Sequence, residues 1–365
     1  MIVLLTISLI ALLLTYLETI GKLKDGMMWG FVLVTIIAAI HYDYGNDYMS
    51  YMQMYKVITY FDFNLSSVLA GDVWKEPGWA LLNYAFIPLG GFFGLVAALS
   101  VLQNVIYYKA IKRYVDKEWW TMAVFIYLFS TSLYVLNMSM MRQGLAISLF
   151  VWAFLYFKDR RIIPSLLILI AAASVHNSAK ILLPFVLWGF IPMGKKFSKY
   201  MSYFYAVMFV VLYMNADFVN TIFMAFMEIE DMAKYADIYG NDEKTGKFGL
   251  GFIINLIPFI ISLYYLLKCY DTDIWKRRLI CIACIGFFIT PFTLIVPLMN
   301  RVGMYFAAYS VFAIPITYDW IKRKELRYSF LVIYILMALY SYFGFFSSEV
   351  FSEAYSTYKT IFSAL

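Results

Sequence analysis

In so apolar a chain, 63% hydrophobic and 14% charged, a few polar residues stand out by type and position. Arg142 and Gln143 open an apolar run, and His176, Asn177, Ser178 and Lys180 stand together between two later runs. Asp43 and Asp47 follow an earlier run, Glu76 precedes Pro77, and Asn300 and Arg301 precede Tyr305 by about one helical turn. Arginine offers a planar, permanently charged fork that suits phosphate and pyrophosphate, so Arg142 and Arg301 together form a candidate anion clamp. His176, with Lys180 one turn away, is a candidate general base, or a donor to phosphate when neutral. Asp43 and Asp47 are spaced to share one helix face and could activate a sugar hydroxyl. Each also has a plainer reading. The arginines can snorkel to lipid headgroups, and His176 can be a structural helix end. The aspartates can be solvated loop charges, and Glu76 can stabilise the N-terminus of its own helix. His41, the other histidine, ends an apolar run and supports a weaker version of the His176 argument.

The elements that must position these residues are membrane spans. A soluble domain is roughly 45–50% apolar and about 25% charged, and a span needs about 20 mainly apolar residues. Candidate runs fall at 2–20, 27–41, 79–109, 119–138, 142–157, 162–176, 178–193, 200–216, 249–267, 279–298, 302–318 and 328–346. The sequence thus predicts an all-α polytopic membrane protein with about twelve transmembrane helices, a single transmembrane domain over residues 1–365. Gly90-Gly91 breaks the third run, so 77–89 reads as a short re-entrant helix and 91–109 as the crossing. The N-terminal MIVLLTISLIALLLTYLE lacks a basic leader and an A-x-A site and reads as a retained span.

The loop charges set the register. With the N-terminus outside, the inside loops take most of the 29 Lys and Arg residues, including Lys158-Asp159-Arg160-Arg161, as the positive-inside rule requires. Arg142 and the His176 cluster then return to the same face, opposite that basic turn. Ionisable groups gathered there are a functional hypothesis by default. Two sizeable outer-face segments remain, 42–78 and 217–248. In the first, Tyr44, Tyr48, Tyr51 and Tyr55 follow helical spacing, which predicts an amphipathic interfacial helix with its Tyr stripe among headgroups. In the second, Phe218, Ile222, Phe226 and Ile229 predict another surface helix, followed by the loop YGNDEKTGKFG, a candidate lid.

Several function classes are disfavoured. The net charge of +6 is explained by topology and does not point to nucleic acid. No P-loop, G-x-G-x-x-G, G-x-S-x-G or H-E-x-x-H is present, which argues against ATP use and zinc proteolysis. Cys281 and Cys284 form a C-x-x-C inside an apolar run, without a second pair or a histidine beside it. It reads as helix packing rather than a metal or redox site. No metal site and no cofactor are expected.

An ordered set of short motifs then carries a resemblance. D-Y-G-x-D-Y-x-x-Y runs from Asp43 to Tyr51, E-P-G-W from Glu76 to Trp79, and M-R-Q-G-L-A from Met141 to Ala146. V-H-N-S-A runs from Val175 to Ala179, and N-R-x-x-x-Y from Asn300 to Tyr305. In order and spacing across residues 40 to 305 the set resembles the EpsG family of bacterial exopolysaccharide proteins, related in role to Wzy-type repeat-unit polymerases. Val175 departs from the Phe that the family often places before its His. The C-terminal third matches in hydropathy alone apart from Asn300 to Tyr305.

The resemblance implies a multi-pass glycosyltransferase of the bacterial plasma membrane with its active site facing outside. It would polymerise oligosaccharide repeat units carried on undecaprenyl pyrophosphate, for exopolysaccharide, capsule or O-antigen, beside a flippase and a chain-length regulator of the same pathway. On this reading Arg142 and Arg301 bind the pyrophosphate, and His176, then Asp47, then Asp43 are candidates for the base. Glu76, Gln143 and Asn177 would position sugar hydroxyls, with Lys180, Asn300 and Tyr305 completing the site. A flippase for lipid-linked sugars is the main alternative, but span centres nearly free of charge argue for an enzyme at the face. A ligase would use the same donor clamp.

Overall fold

The computed structural model describes residues 1–215, 218, 221, 250–269, 272–290 and 299–363. They are helical almost throughout; among them the only strands are two-residue segments, β1 (His41–Tyr42) and β2 (Lys359–Thr360). Among the described residues four helices are long and apolar enough to cross a membrane: α1 (Ile2–Thr19), α6 (Gly91–Tyr114), α11 (Lys195–Met214) and Lys324–Ser347. Shorter apolar helices accompany them, among them α2 (Gly26–Ile40) and α10 (Ile162–Val175). The outer-face segment expected at 217–248 lies outside the described residues, apart from Phe218 and Thr221.

The chain divides into two compact units, Met1–Phe190 with Ala338–Leu365, and Ile191–Met337. In the first, α7 (Trp120–Phe129) and α9 (Met141–Lys158) are buried nearly all round, which marks them as the core of the bundle. Small residues let its helices close up. A Cβ at Gly26 would lie 2.1 Å from the Leu14 carbonyl oxygen, so α1 and α2 meet backbone to backbone, as small residues permit in membrane bundles. At that turn Glu18 accepts the Met27 N–H at 2.7 Å, satisfying a donor that the start of α2 would leave open. The basic turns of this unit gather at one end. Thr19 meets Thr121 at 3.2 Å, and Arg113 at the end of α6 pairs with Asp159 of the α9–α10 turn at 3.6 Å.

Three expected spans take unexpected forms. The run 119–138 is not one helix: α7 stops at Phe129 and α8 (Tyr134–Ser139) restarts after Ser130-Thr131-Ser132. Those hydroxyls compete for backbone groups, and an irregular segment at membrane depth survives only where protein encloses it. Here Asn104 accepts the Tyr127 hydroxyl at 3.0 Å and Tyr134 donates to the Val34 carbonyl at 2.7 Å. The run 178–193 forms a 3-10 helix, Asn177–Phe190, of 14 residues. At about 2.0 Å rise per residue it covers about 28 Å, close to the bilayer core of about 30 Å; an α-helix of that length would cover about 21 Å. The run 302–318 divides into Met299–Ala307 and Ser310–Asp319. The re-entrant reading of 77–89 corresponds to α5 (Pro77–Ala85), separated from α6 by a turn at Gly90 and Gly91, both at positive φ.

In the second unit, α11 packs with Leu250–Lys268 and Ile274–Ile289, where Ser202 donates to the Leu263 carbonyl and Tyr205 to that of Cys281. Cys281 and Cys284 are fully buried, with Cys281 against the Met193 sulfur at 3.9 Å. A Cβ at Gly286 would lie 2.5 Å from the Ala307 nitrogen, so Ile274–Ile289 and Met299–Ala307 pack backbone to backbone.

Candidate functional site

The end of the first unit opposite its basic turns brings three of the sequence-selected residues together. Arg142 stands in the first turn of α9, Glu76 at the N-cap of α5, and His176 at the C-cap of α10. The Arg142 Nη1 donates to Glu76 Oε2 at 2.8 Å, and His176 Nδ1 lies 4.0 Å from Glu76 Oε1. The side chains are 16%, 10% and 14% exposed, so the cluster is shielded yet reaches the surface. In such a place a charge-assisted pair is stronger than in open water.

Each segment is held there by local chemistry. Pro77 in the first turn of α5 suits the fixed φ of proline. Glu76 makes no side-chain cap bond to that helix, so its carboxylate serves Arg142 and His176 instead. Gly78 sets the approach of α5 to α10: a Cβ there would sit 2.1 Å from Ser174 Oγ and 2.9 Å from its backbone carbon. The Arg142 guanidinium lies over two rings, Tyr51 at 5.5 Å and Trp74 at 5.9 Å, a cation–π arrangement that fixes its plane. Tyr51 in turn meets Trp79 edge to face at 5.6 Å. Burial pushes the Tyr51 phenol up while Arg142 pulls it down; burial prevails, so it is neutral at pH 7.

The tyrosine stripe faces protein at three of its four positions, while Tyr55 is half-buried with its ring near Phe92. Tyr44, Tyr48 and Tyr51 are buried, because Tyr44 packs on Tyr355, Tyr48 on His41 and Phe92, and Tyr51 on Trp79. The helix α3 (Tyr48–Tyr60) begins only after both aspartates, so Asp43 and Asp47 share no helix face. Asp43 at φ 47 and Gly45 at φ 104 turn the chain before it. Asp43 forms an ion pair with Lys359 at 2.9 Å beside the β1–β2 pairing. Asp47 is the N-cap of α3; its N–H donates to Ser139 Oγ at 3.0 Å, and its charge acts on the buried phenols of Tyr51 and Tyr355. His41 bridges α2 and α8, with Nε2 at 3.0 Å from the Met138 carbonyl and Nδ1 facing that of Ala38.

The remaining candidates divide between the two units. Gln143 is buried beside Arg142 in α9. Asn177 and Lys180 are exposed in the first turns of the 3-10 helix that follows His176. Asn300, Arg301 and Tyr305 belong to the second unit, in the helix Met299–Ala307. There Asn300 is exposed, Arg301 half-buried and Tyr305 fully buried. Among the described residues no group of three or more His, Cys, Asp or Glu is placed to hold a metal ion.

The EpsG family pattern matches residues 27–360. The chain belongs to the EpsG family. No curated protein and no solved structure matches it. The match runs from α2 to β2 and so takes in the whole Arg142–Glu76–His176 cluster of this EpsG member. It also takes in Gly78, and Tyr51 and Trp74, whose places beside Arg142 neither helical spacing nor hydropathy indicated. The E-P-G-W motif was the available signal for Gly78. Nothing in the periodicity marked Trp74, whose contact with Arg142 joins segments distant in the chain.

Proposed function

We propose that this protein is a membrane glycosyltransferase that polymerises repeat units carried on undecaprenyl pyrophosphate at the outer leaflet of a bacterial plasma membrane. Family membership supports a polysaccharide-polymerase type of role, and the Arg142–Glu76–His176 cluster is the observation that supports its chemistry. The guanidinium supplies a phosphate-binding fork, and the imidazole 4.0 Å from the shared carboxylate supplies a proton acceptor.

In the proposed reaction the acceptor sugar hydroxyl attacks the anomeric carbon of the donor glycan. A new carbon–oxygen bond forms as the bond from that carbon to the pyrophosphate oxygen breaks, and the leaving group keeps the electron pair. His176 takes the hydroxyl proton, and Arg142 stabilises the charge growing on the departing pyrophosphate. The donor is already activated, so no nucleotide is consumed. Asp47 stands behind His176 as base. Asp43, bound to Lys359, is the weakest candidate.

The test is reconstitution. Purified protein in liposomes receives lipid-pyrophosphate-linked repeat units, and products are sized on a gel. A ladder of longer glycans without ATP, abolished in Arg142→Ala, is expected. Transfer of single units to another acceptor would make the protein a ligase. Repeat units crossing the bilayer without a ladder would make it a flippase.

A further inference from the structure

One carboxylate in the cluster serves two basic partners. Glu76 Oε2 holds Arg142 at 2.8 Å, and Oε1 faces His176 Nδ1 at 4.0 Å, just beyond hydrogen-bonding range. The first contact is made and the second is poised. Its host position makes the arrangement specific: as N-cap of α5, Glu76 could bond its own helix, and it does not. The arginine is steadied independently of the carboxylate by the faces of Tyr51 and Trp74. Removing the carboxylate therefore does not by itself release the guanidinium.

We infer that Glu76 is a positioning residue that couples donor capture by Arg142 to activation of His176, an inference that rests on the pyrophosphate-donor reading above. An arriving pyrophosphate competes with Glu76 for the N–H groups of Arg142, and its negative charge repels the carboxylate. Glu76 then turns to the partner it already faces. Accepting a hydrogen bond from Nδ1–H fixes the imidazole tautomer, so that Nε2 carries the lone pair, and stabilises the imidazolium that forms when the hydroxyl proton arrives. The base is thus made competent only when a donor is in place. This would spare the enzyme an activated base while the site holds acceptor or water alone.

The inference separates donor binding from turnover, which a merely structural role for Glu76 would not do. Full-length protein in nanodiscs is titrated with undecaprenyl pyrophosphate, the leaving lipid, and followed by tryptophan fluorescence, since Trp74 lies on Arg142. Inorganic pyrophosphate serves as a second probe. Rates are measured in the liposome assay. Glu76→Gln keeps the size of the side chain and removes the charge. It should bind the lipid as tightly as wild type or several-fold more tightly, with donor KM unchanged or lower. Its kcat should fall about 100-fold, the lower end of what general-base assistance supplies, and Glu76→Asp should recover part of it. Arg142→Ala should lose lipid binding. If Glu76→Gln loses lipid binding as Arg142→Ala does, Glu76 only holds the arginine, and the coupling is wrong while the donor site stands. Turnover of Glu76→Gln within threefold of wild type also overturns the coupling. If wild type binds neither probe, the donor reading itself fails and takes the coupling with it.

Discussion

Replacing Gly78 by alanine tests whether the approach of α5 to α10 sets the site. The new Cβ would meet Ser174 Oγ at 2.1 Å, its Cβ at 2.8 Å and its backbone carbon at 2.9 Å. The hydroxyl can rotate away, at the expense of its bond to the Ala171 carbonyl, but the other two atoms cannot. Bringing the 2.9 Å contact to an ordinary 3.4 Å requires α5 to retreat by about half an ångström. That is about the tolerance of a functional constellation. Glu76 begins α5, so its 2.8 Å bond to Arg142 and its 4.0 Å approach to His176 lengthen together. Overpacking costs about 1–3 kcal/mol, and better helix propensity returns up to about 1 kcal/mol. The net loss should be about 1 kcal/mol, read as a small fall in the detergent melting temperature. Polymerisation should fall at least tenfold, since a shift of about 1 Å can cost about 100-fold. Adding Ser174→Gly removes two of the three contacts and should restore part of the activity. Full activity in Gly78→Ala, or a loss that Ser174→Gly leaves unchanged, would refute the argument.

Other perturbations separate the roles of neighbouring residues. Arg142→Lys keeps the charge but loses the fork and the stacking on Tyr51 and Trp74; chain growth should drop sharply at unchanged protein level, and wild-type chain lengths would count against a donor clamp. Asp43→Asn and Lys359→Ala should each retain activity within a few-fold, because the pair is 36% and 47% exposed and such pairs contribute about 0–1 kcal/mol; a 100-fold loss in Asp43→Asn alone would return it to the list of bases. His41→Ala leaves the Met138 carbonyl without its ring partner and should cost about 1–3 kcal/mol, measured as a lower melting temperature, with donor KM unchanged in the folded fraction.

Much of this protein is legible in its sequence. Long apolar runs must bury their backbone polar groups in helices once they enter lipid, so the helical membrane class follows from composition. The placement of Arg142 and His176 at one end followed from counting spans and basic turns, and the Arg113–Asp159 pair joins two of those turns. Helix breaks were harder to read. Hydropathy does not distinguish α7 and α8 with a break at 130–133 from one continuous helix, nor the 3-10 helix Asn177–Phe190 from an α-helix, because it averages over residues and carries no backbone geometry. The direction of the tyrosine stripe was likewise undetermined, since helical spacing tells which residues share a face but not whether lipid or protein meets it. What the sequence by itself determined was the membrane class and family, and that Arg142 and His176 stand at one end of their unit. Only the tertiary structure decided that Glu76 joins Arg142 to His176, that Tyr51 and Trp74 hold the guanidinium, and that Asp43 belongs to Lys359. These are contacts of a few ångströms between segments far apart in the chain, and their geometry depends on close approaches such as that of Gly78 to Ser174, which no local pattern encodes.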